Sequence, residues 1–468
     1  MYFFDKHPDF KTHKLFEDDH GRTVTYETWY THADALGGIM PTRSLAAIIC
    51  RNTIGSALAY LCCLQNRIVP LLIDEAMDDE LKNRLLNTYQ PEFLLCPQET
   101  AAEESLYSLY DYAVCRYSHA SPPVYKDLGL LLTTSGSTGS PKLVRLSYDN
   151  LQSNAASIAQ YLELTAGDRP VSSLPMHYTF GLSVINSHVL CGAAEYLTTA
   201  TVFDAAFWQF CKDNGVTSIA GVPFTYECLR RLKFTTMDLP DLTLMIQAGG
   251  KLSKKLQKEF GEFAAATGKR FVVMYGQTEA TARMSYLPPA DCLRKIGSIG
   301  IAIPGGTFRI MDDDHAELTE PNTVGELCYD GPNVSLGYAR CAEDLQLGDE
   351  RQGRLFTGDI AYCDEEGFYY IAGRKKRFVK IMGKRVNMDE VEQLFKNAFA
   401  DRDFACTGSD DNLIIFTTAP ETALSALEDF LVAKTSLHPS CFAIRSIAAI
   451  PKNSSGKTQY TDLPDEKA

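Results

Sequence analysis

A run of hydroxyl-bearing and glycine residues lies in the segment LLTTSGSTGSPKLV, at Leu131–Val144. Glycines allow backbone N–H groups to turn toward an anion, so the run predicts a phosphate-binding loop. It is not a Walker-type P-loop, because Pro141 stands where the GxxxxGK[ST] pattern needs its second glycine, and Pro451 breaks a second near-match in PKNSSGKT. A flexible polar linker is the alternative. The candidate loop residues are Thr134, Ser135, Gly136, Ser137, Thr138 and Gly139, followed by Lys142.

Two further segments carry side chains that could bind a nucleotide. In YGQTEA, Glu279 offers a hard oxygen for Mg²⁺ and Tyr275 a flat face for an aromatic ring. The alternative for Glu279 is a residue of a first helical turn, where the helix dipole favours a carboxylate. In TGD, Asp359 could accept hydrogen bonds from two sugar hydroxyls, and Arg374 could add donors. The alternative for Asp359 is an ordinary turn residue.

Alternating strand and helix patterns must position these side chains. LGLLL predicts a buried strand before the loop, and Ser147 predicts the cap of a helix toward which Lys142 leads. VTSIAG, LTLMIQAGG and RFVVMYGQTE predict further strands, and FTYECLRRL and SKKLQKEFGEFAAATG predict helices. Such alternation is typical of a mostly parallel sheet, which binds ligands at the carboxyl ends of its strands. The predicted carboxyl ends of these strands carry the loop at 134–139, Gly221, Gly249 with Gly250, and Gly276.

After residue 295 the alternating strand and helix patterns give way to short β-rich runs. Short β-rich runs broken by Gly, Pro and Asp predict a small β-barrel or meander. The segment RKKRFVKIMGKR follows, in which seven of the twelve residues Arg374–Arg385 are basic. The predicted fold class is α/β, with a large N-terminal domain of parallel-rich sheets, helices and a small β-barrel, and a small mobile α+β C-terminal domain. We predict the domain ranges 1–375 and 376–468.

Composition excludes several classes of protein. A net charge of −14 over 468 residues disfavours a nucleic-acid binder. Fourteen cysteines without a CxxC pair favour reduced thiols over a zinc site or disulfide framework. The N-terminus MYFFDKHPDF lacks the apolar stretch of a signal peptide, and no apolar run approaches the ~20 residues of a membrane span. We therefore expect a soluble cytoplasmic protein.

Six segments in one order resemble the adenylate-forming superfamily, which includes acyl- and aryl-CoA synthetases, nonribosomal peptide adenylation domains and firefly luciferase. They are the Ser/Thr/Gly loop ending in SPK, YGQTE, GELCYDGPNVSLGYAR, FTGD, GRKKRFVKIMGKRV and PKNSSGKTQY. The resemblance covers roughly residues 20–460. The chain departs from the family at Tyr460, where an arginine is frequent, and is shorter than many relatives before the phosphate loop.

The resemblance implies a role for each matching residue. It implies that ATP phosphates bind at 134–139 and Lys142, that Glu279 helps to bind Mg²⁺, and that Thr278 lies beside the α-phosphate. It implies that Tyr275 stacks on adenine, with Ala248, Gly249 and Gly250 as the other wall and Gly276 at the turn. It implies ribose contacts from Asp359 and Arg374, a hinge at Lys376, and a catalytic lysine at Lys457 that the small domain delivers to the α-phosphate.

The implied reaction joins a carboxylic acid to a thiol through an acyl-adenylate. LPMHYTFGLSVINSHVLCGA matches the family's acid-pocket segment, and His177 or Tyr178 would lie nearest the carboxylate, with a structural histidine as the alternative. Residues 171–190 contain no Asp or Glu, which disfavours an amino-acid substrate because its ammonium would stay unpaired. Glycine at 249 and 276 favours a fatty or aryl acid.

The acceptor stays open between coenzyme A and the phosphopantetheine of an acyl carrier protein, either of which would pass Gly383. The basic run could meet coenzyme A phosphates or an acidic carrier protein, or form a solvated face with hinge charges. Three other functions remain as alternatives: an amino-acid-activating enzyme, an enzyme that passes the activated acid to oxygen, and an acyl-adenylate or nucleotide binder without turnover.

Overall fold

The computed structural model describes residues 1–101, 104–133, 142–381, 384–409, 412–435, 437–452 and 458–464. These residues form two compact units. The first comprises 1–133, 142–308 and 329–355, and the second comprises 309–328 and 356–464, apart from the gaps above. The domain boundary predicted between 375 and 376 stays a prediction.

Helices and strands alternate through the first unit and are shorter and more mixed in the second. The α-helices of the described residues are α1 (Tyr26–Gly37), α2 (Ile54–Gln65), α3 (Asp79–Tyr89), α4 (Tyr148–Leu162), α5 (Thr179–Leu190), α6 (Ala205–Asp213), α7 (Pro223–Arg231), α8 (Lys254–Thr267), α9 (Met388–Ala398) and α10 (Leu424–Thr435). The strands up to residue 302 are β1 (Lys14–Asp18), β2 (Thr23–Thr25), β3 (Leu45–Cys50), β4 (Val69–Asp74), β5 (Phe93–Pro97), β6 (Tyr107–Leu109), β7 (Tyr112–Arg116), β8 (Leu128–Thr133), β9 (Leu143–Ser147), β10 (Glu195–Leu197), β11 (Ser218–Gly221), β12 (Leu244–Gln247), β13 (Arg270–Tyr275), β14 (Ser285–Tyr286) and β15 (Ile301–Ala302). The later strands are β16 (Thr307–Met311), β17 (Gly325–Asp330), β18 (Gly337–Ala339), β19 (Arg354–Cys363), β20 (Tyr369–Arg374), β21 (Phe378–Ile381), β22 (Lys384–Asn387), β23 (Phe404–Ser409), β24 (Asn412–Thr417) and β25 (Phe442–Ser446).

The largest sheet of the first unit has eight strands in the order β18-β9-β8-β4-β3-β5-β7-β6. The pairs β3–β4, β3–β5 and β4–β8 are parallel, and the other pairs are antiparallel. The strand predicted at LGLLL is confirmed as β8. Lys142 does not lead directly toward a helix, because strand β9 intervenes and pairs antiparallel with β8. The predicted phosphate loop therefore falls between two neighbouring antiparallel strands.

A second sheet of the first unit has the order β11-β12-β13-β14-β15, and its first three strands are parallel. Their carboxyl ends lie side by side because the strands are neighbours in register, which confirms the predicted convergence of Gly221, Gly249 with Gly250, and Gly276. The expectation that the phosphate loop follows a strand of the same sheet is wrong, since β8 belongs to the eight-stranded sheet. A third sheet has the order β10-β1-β2.

The predicted helix after Ser147 is α4. The Ser147 hydroxyl accepts a hydrogen bond from the Asn150 backbone at 3.0 Å, and the Asn150 side chain accepts one from the Ser147 backbone at 2.9 Å. This reciprocal pair satisfies two backbone donors that the first helical turn leaves free. The apolar face that the period predicted is buried at Leu151, Ala155 and Ile158, among others.

The second unit contains the β-rich region and the C-terminal elements. The four-stranded sheet has the order β16-β17-β19-β20, in which β19 and β20 are antiparallel and β18 is absent because it joins the eight-stranded sheet. The later residues form the hairpin β21–β22, the sheet β23-β24-β25 and helices α9 and α10, an α+β arrangement around one apolar cluster. The fourteen cysteines are free thiols. No helix in the described ranges is long and apolar enough to cross a bilayer.

Candidate nucleotide and acid site

Tyr338 of β18 connects two of the predicted site residues. Its hydroxyl donates a hydrogen bond to Glu279 Oε1 at 2.7 Å, and the Lys142 ammonium lies 3.6 Å from the centre of its ring. The Arg351 guanidinium lies 4.7 Å from the same ring centre. Burial, with a smaller contribution from Glu279, raises the pKa of Tyr338 to about 12, so its hydroxyl stays a donor at neutral pH. The hydroxyl of Tyr338 thus contacts the Glu279 carboxylate, while its ring contacts the Lys142 ammonium.

The segment that carries Glu279 is tied to the chain just before β18. The Glu279 carbonyl accepts a hydrogen bond from the Ser335 backbone at 2.9 Å, and the Asn333 amide donates to the Ala280 carbonyl at 2.9 Å. Thr281 adopts φ 66° and ψ −56°, a conformation that a β-branched residue rarely takes. Its hydroxyl donates to the Asn333 carbonyl at 2.7 Å, which offsets part of a strain of about 1–3 kcal/mol.

The chemistry of Glu279 and Lys142 fits Mg²⁺ and a polyphosphate, because one offers a carboxylate oxygen and the other a cation. No cation of the described residues forms an ion pair with Glu279, and its carboxylate keeps an oxygen free of the Tyr338 hydrogen bond. Magnesium prefers such carboxylate oxygens, and bound phosphates complete its shell. Thr278 begins the short helical turn Thr278–Ala280 that holds Glu279, so its side chain belongs to the same loop.

The loop after β12 adjoins the predicted acid-binding residue Tyr178. Gly249 has φ +82°, and a Cβ built on it would lie 2.8 Å from the Tyr178 hydroxyl. Glycine is required there by both the backbone conformation and the contact. The Gln247 amide donates to the carbonyls of Ala248 and Gly250, each at 3.1 Å, and so holds this loop. The predicted adenine wall and the predicted acid pocket therefore meet at Gly249.

Gly276 is required by a close backbone contact, and its predicted place at the pocket entrance stays a prediction. A Cβ on Gly276 would overlap the Ala282 carbonyl oxygen, so glycine is needed where the chain folds back after Glu279. Tyr275, just before it, ends β13; its hydroxyl accepts a hydrogen bond from the Gln277 amide at 3.2 Å, and its ring centre lies 6.4 Å from that of Phe308. The ring is only partly buried.

His177 lies beside a carboxylate that the local sequence did not show. Its Nε2 is 3.5 Å from Asp74 Oδ2, at the end of β4. Burial lowers the pKa of His177 and outweighs the opposing effect of Asp74. The imidazole is therefore largely neutral at pH 7. Asn52, which follows β3, receives a hydrogen bond from the Met176 backbone at 3.1 Å and donates to the Leu174 carbonyl at 3.0 Å, which fixes the segment before His177.

Asp359 and Arg374 are neighbours in the second unit. They are register partners in β19 and β20, and Arg374 Nε lies 3.2 Å from Asp359 Oδ1. The Asp359 side chain is 4 % exposed and that of Arg374 is 66 % exposed, so the arginine can move to a ligand while the carboxylate is held. The Thr357 hydroxyl accepts a hydrogen bond from the Asp359 backbone at 3.1 Å, which orients this turn.

Thr134–Gly139, Gly383 and Lys457 lie outside the described residues, and so does the side chain of Lys376. Of the seven basic residues in the run, the three whose side chains the structure describes have internal carboxylate partners: Arg374 with Asp359, Lys375 with Glu326 and Asp313, and Arg377 with Asp389 and Glu392. These three charges are therefore partly neutralised within the protein.

Comparison with known proteins decides the family. The model of AMP-binding enzymes matches residues 4–339. The chain belongs to the AMP-binding enzyme family. An oxalate–CoA ligase of Arabidopsis thaliana is 33 % identical over 57 % of this chain and 52 % of its own length. A luciferin 4-monooxygenase of Nipponoluciola cruciata is 30 % identical over 58 % of this chain and 49 % of its own length. The matched part of this AMP-binding protein thus spans about half the length of these two relatives.

Solved structures confirm the fold of this AMP-binding protein. The o-succinylbenzoate CoA synthetase of Bacillus subtilis, in complex with its acyl-adenylate intermediate, superposes with a TM-score of 0.79 over 97 % of this chain and 95 % of that chain, at 22 % identity. The same synthetase in complex with ATP and magnesium gives a TM-score of 0.77 over 97 % of each chain, also at 22 % identity. The expected α/β class with a large sheet-rich N-terminal part is thereby confirmed.

Sequence reasoning missed Tyr338, Asp74 and Arg283. Tyr338 lies inside the quoted segment GELCYDGPNVSLGYAR, so the resemblance pointed at its neighbourhood without a role. Asp74 ends the apolar strand VPLLID, and the convergence of parallel strand ends is the signal that could have found it. Arg283, four residues beyond Glu279, is a charge in a buried stretch and could not be told from an exposed turn residue.

Proposed function

We propose that this AMP-binding protein is an acid–thiol ligase that forms AMP. It adenylates a fatty or aryl carboxylic acid with release of pyrophosphate and transfers the acyl group to the thiol of coenzyme A or of a carrier protein's phosphopantetheine. The observation that supports this most is that Tyr338 contacts both Glu279 and Lys142, because a carboxylate oxygen able to bind Mg²⁺ and a cation able to bind phosphate then share one side chain as partner.

The proposed roles of the residues follow from their chemistry and from the resemblance. Mg²⁺ bound by Glu279 would neutralise phosphate charge and draw the leaving pyrophosphate. Tyr275 would stack on adenine opposite the 248–250 loop, and Asp359 with Arg374 would hold the ribose hydroxyls. Thr278 would lie at the α-phosphate. The hydroxyls and backbone of 134–139 would cradle the triphosphate together with Lys142.

Catalysis would consist mainly of positioning and charge neutralisation. A carboxylate that attacks the α-phosphorus brings two anions together, and the protein must offset their repulsion. A lysine at ~4 Å, in an effective dielectric of ~20, supplies on the order of 4 kcal/mol, which is roughly a thousandfold in rate. We assign this role to Lys457, delivered by a mobile domain at 376–468 that turns at Lys376, with Gly383 beside the path of the thiol.

The acid pocket would lie at His177 and Tyr178. A largely neutral imidazole, held by Asp74, can donate a hydrogen bond to the substrate carboxylate without neutralising its nucleophilic charge. Relatives act on acids of different kinds, among them oxalate and indoleacetate. Residues 171–190 contain no Asp or Glu, but Asp74 at the end of β4 supplies a carboxylate beside His177. That alternative therefore stays in the substrate panel.

ATP–pyrophosphate exchange across a panel of fatty, aryl, dicarboxylic and amino acids tests the proposal. We expect label to return to ATP with at least one acid, and a thioester to form when coenzyme A or a phosphopantetheine carrier protein is added, observed by mass spectrometry. Lys457→Ala serves as the matched control variant, in which exchange should be strongly slowed. Nucleotide binding without exchange for any acid would instead establish a binder without turnover. Exchange followed by oxygen consumption, with no thioester, would favour the chemistry named for the luciferin 4-monooxygenases. Location in the cytoplasm stays a prediction.

A further inference from the structure

Arg283 is one of the largest fully buried side chains of the first unit. It follows the strained turn at Thr281 and is 2 % exposed. Its Nε donates to the Ser183 hydroxyl at 3.1 Å, and its Nη1 lies 3.4 Å from the Tyr161 hydroxyl and 3.6 Å from the Met274 sulfur. The guanidinium carbon lies 5.1 Å from the centre of the Phe180 ring.

This guanidinium lacks an anion. Nη2 is buried without a hydrogen-bond partner, and no carboxylate in the described ranges pairs with Arg283. The neighbouring titratable groups do not supply the charge either. Burial raises the pKa of Tyr161 and lowers the pKa of His188 to about 4, so both are uncharged at neutral pH. A buried cation with only neutral partners is costly, and arginine retains its proton.

Arg283 borders the pocket in which the acid is proposed to bind. Its contacts Phe180 and Ser183 lie in the first turns of α5, which begins directly after Tyr178. Phe180 and Met274 belong to one apolar cluster with Ala248, against which Tyr178 packs. Nη2 is thus buried beside the helix and the apolar cluster that adjoin the predicted acid-binding residue Tyr178.

We propose that Arg283 binds a second carboxylate of the substrate, so that the protein activates a dicarboxylic acid at its other end. This inference rests on the proposed function and names the class of acid. A planar guanidinium matches a carboxylate in shape, and the pair would supply the anion that the buried cation lacks. The same cation disfavours a substrate with an ammonium at that position, which argues against an amino acid of that geometry.

The test compares diacids with their monoamides, which keep the shape and lose the second charge. Aliphatic and aromatic diacids of several lengths are measured by pyrophosphate exchange and by calorimetric binding, with wild type, Arg283→Met and Arg283→Lys. We expect wild type to prefer at least one diacid over its monoamide by about 10- to 100-fold in kcat/KM, since hydrogen bonds to charged groups contribute about 1.5–3 kcal/mol. Arg283→Met should abolish the difference in kcat/KM between diacid and monoamide, and Arg283→Lys should retain part of that difference.

The possible outcomes separate this inference from the proposed function. Turnover of monocarboxylic acids or monoamides with no diacid preference in wild type overturns the inference and leaves the ligase function standing, even when Arg283→Met does not fold. A parallel loss of both substrates in folded Arg283→Met shows a structural arginine and also overturns it. Diacid-selective binding without exchange supports the inference and refutes the ligase function. If the protein shows neither exchange nor binding with any acid, both the inference and the ligase function are refuted.

Discussion

Glu195 of β10 is a buried carboxyl group whose protonation should control the stability of the first unit. The residue is 3 % exposed, and Oε2 has no hydrogen-bond partner in the part of the chain that the structure describes. Burial raises the pKa of Glu195 from 4.5 to about 8. The folded state therefore binds this proton more tightly than the unfolded state, so stability should fall as pH rises from about 4.5 to about 8.

The size of the effect follows from the shift. A difference of about 3.5 pKa units at about 1.4 kcal/mol each corresponds to a destabilisation on the order of 5 kcal/mol above pH 8, nearly absent near pH 4.5. Glu195→Gln removes the titration and keeps the shape. We expect its free energy of unfolding, relative to that of wild type, to increase by about 4 kcal/mol between pH 5 and pH 9, which means that the variant becomes relatively more stable. The pH-independent cost of the buried amide cancels in that comparison.

Urea unfolding at pH 5, 7 and 9 measures the effect, followed by tyrosine and tryptophan fluorescence and by far-UV circular dichroism. Because the chain has two units, the transition of the first unit must be fitted separately. Glu163→Gln is the matched control, since the Glu163 side chain is 82 % exposed and should change the free energy by less than about 0.5 kcal/mol at every pH. A difference between Glu195→Gln and wild type that is constant from pH 5 to pH 9 would refute the reasoning.

Three further changes test the site and the second unit. Tyr338→Phe removes the hydrogen bond to Glu279 and keeps the ring, so the KM for Mg-ATP should rise about tenfold with little change in kcat, and an unchanged KM would contradict the assigned pairing. Lys457→Ala should slow adenylate formation by about 10²–10³ in pyrophosphate exchange and largely spare thioester formation from a supplied acyl-adenylate; equal loss in both half-reactions would contradict a lysine that acts in one conformation only. Glu392→Gln leaves the half-buried Arg377 with one carboxylate fewer, so the second unit should lose about 2–4 kcal/mol, measured by hydrogen exchange of α9 and β23; full protection in that variant would show that Asp389 alone compensates the arginine.

The sequence by itself determined the family, the order of the strands and helices in the middle of the chain, and the chemistry of the loops that follow them. These features are local: the helical period, the cap at Ser147 and the glycine at each strand end are properties of short segments. The convergence of Gly221, Gly249 and Gly276 was also within reach, because parallel neighbours place their carboxyl ends together.

Only the tertiary structure decided which distant side chains meet. The separation of β8 from the sheet of β11–β13 depends on strand pairing, which the pattern of one segment does not encode. Asp74 reaches His177 across more than a hundred residues of chain, and the partner of Glu279 comes from β18. Burial likewise decided the charge states, since a glutamate or arginine reads the same in sequence whether water or an apolar wall surrounds it.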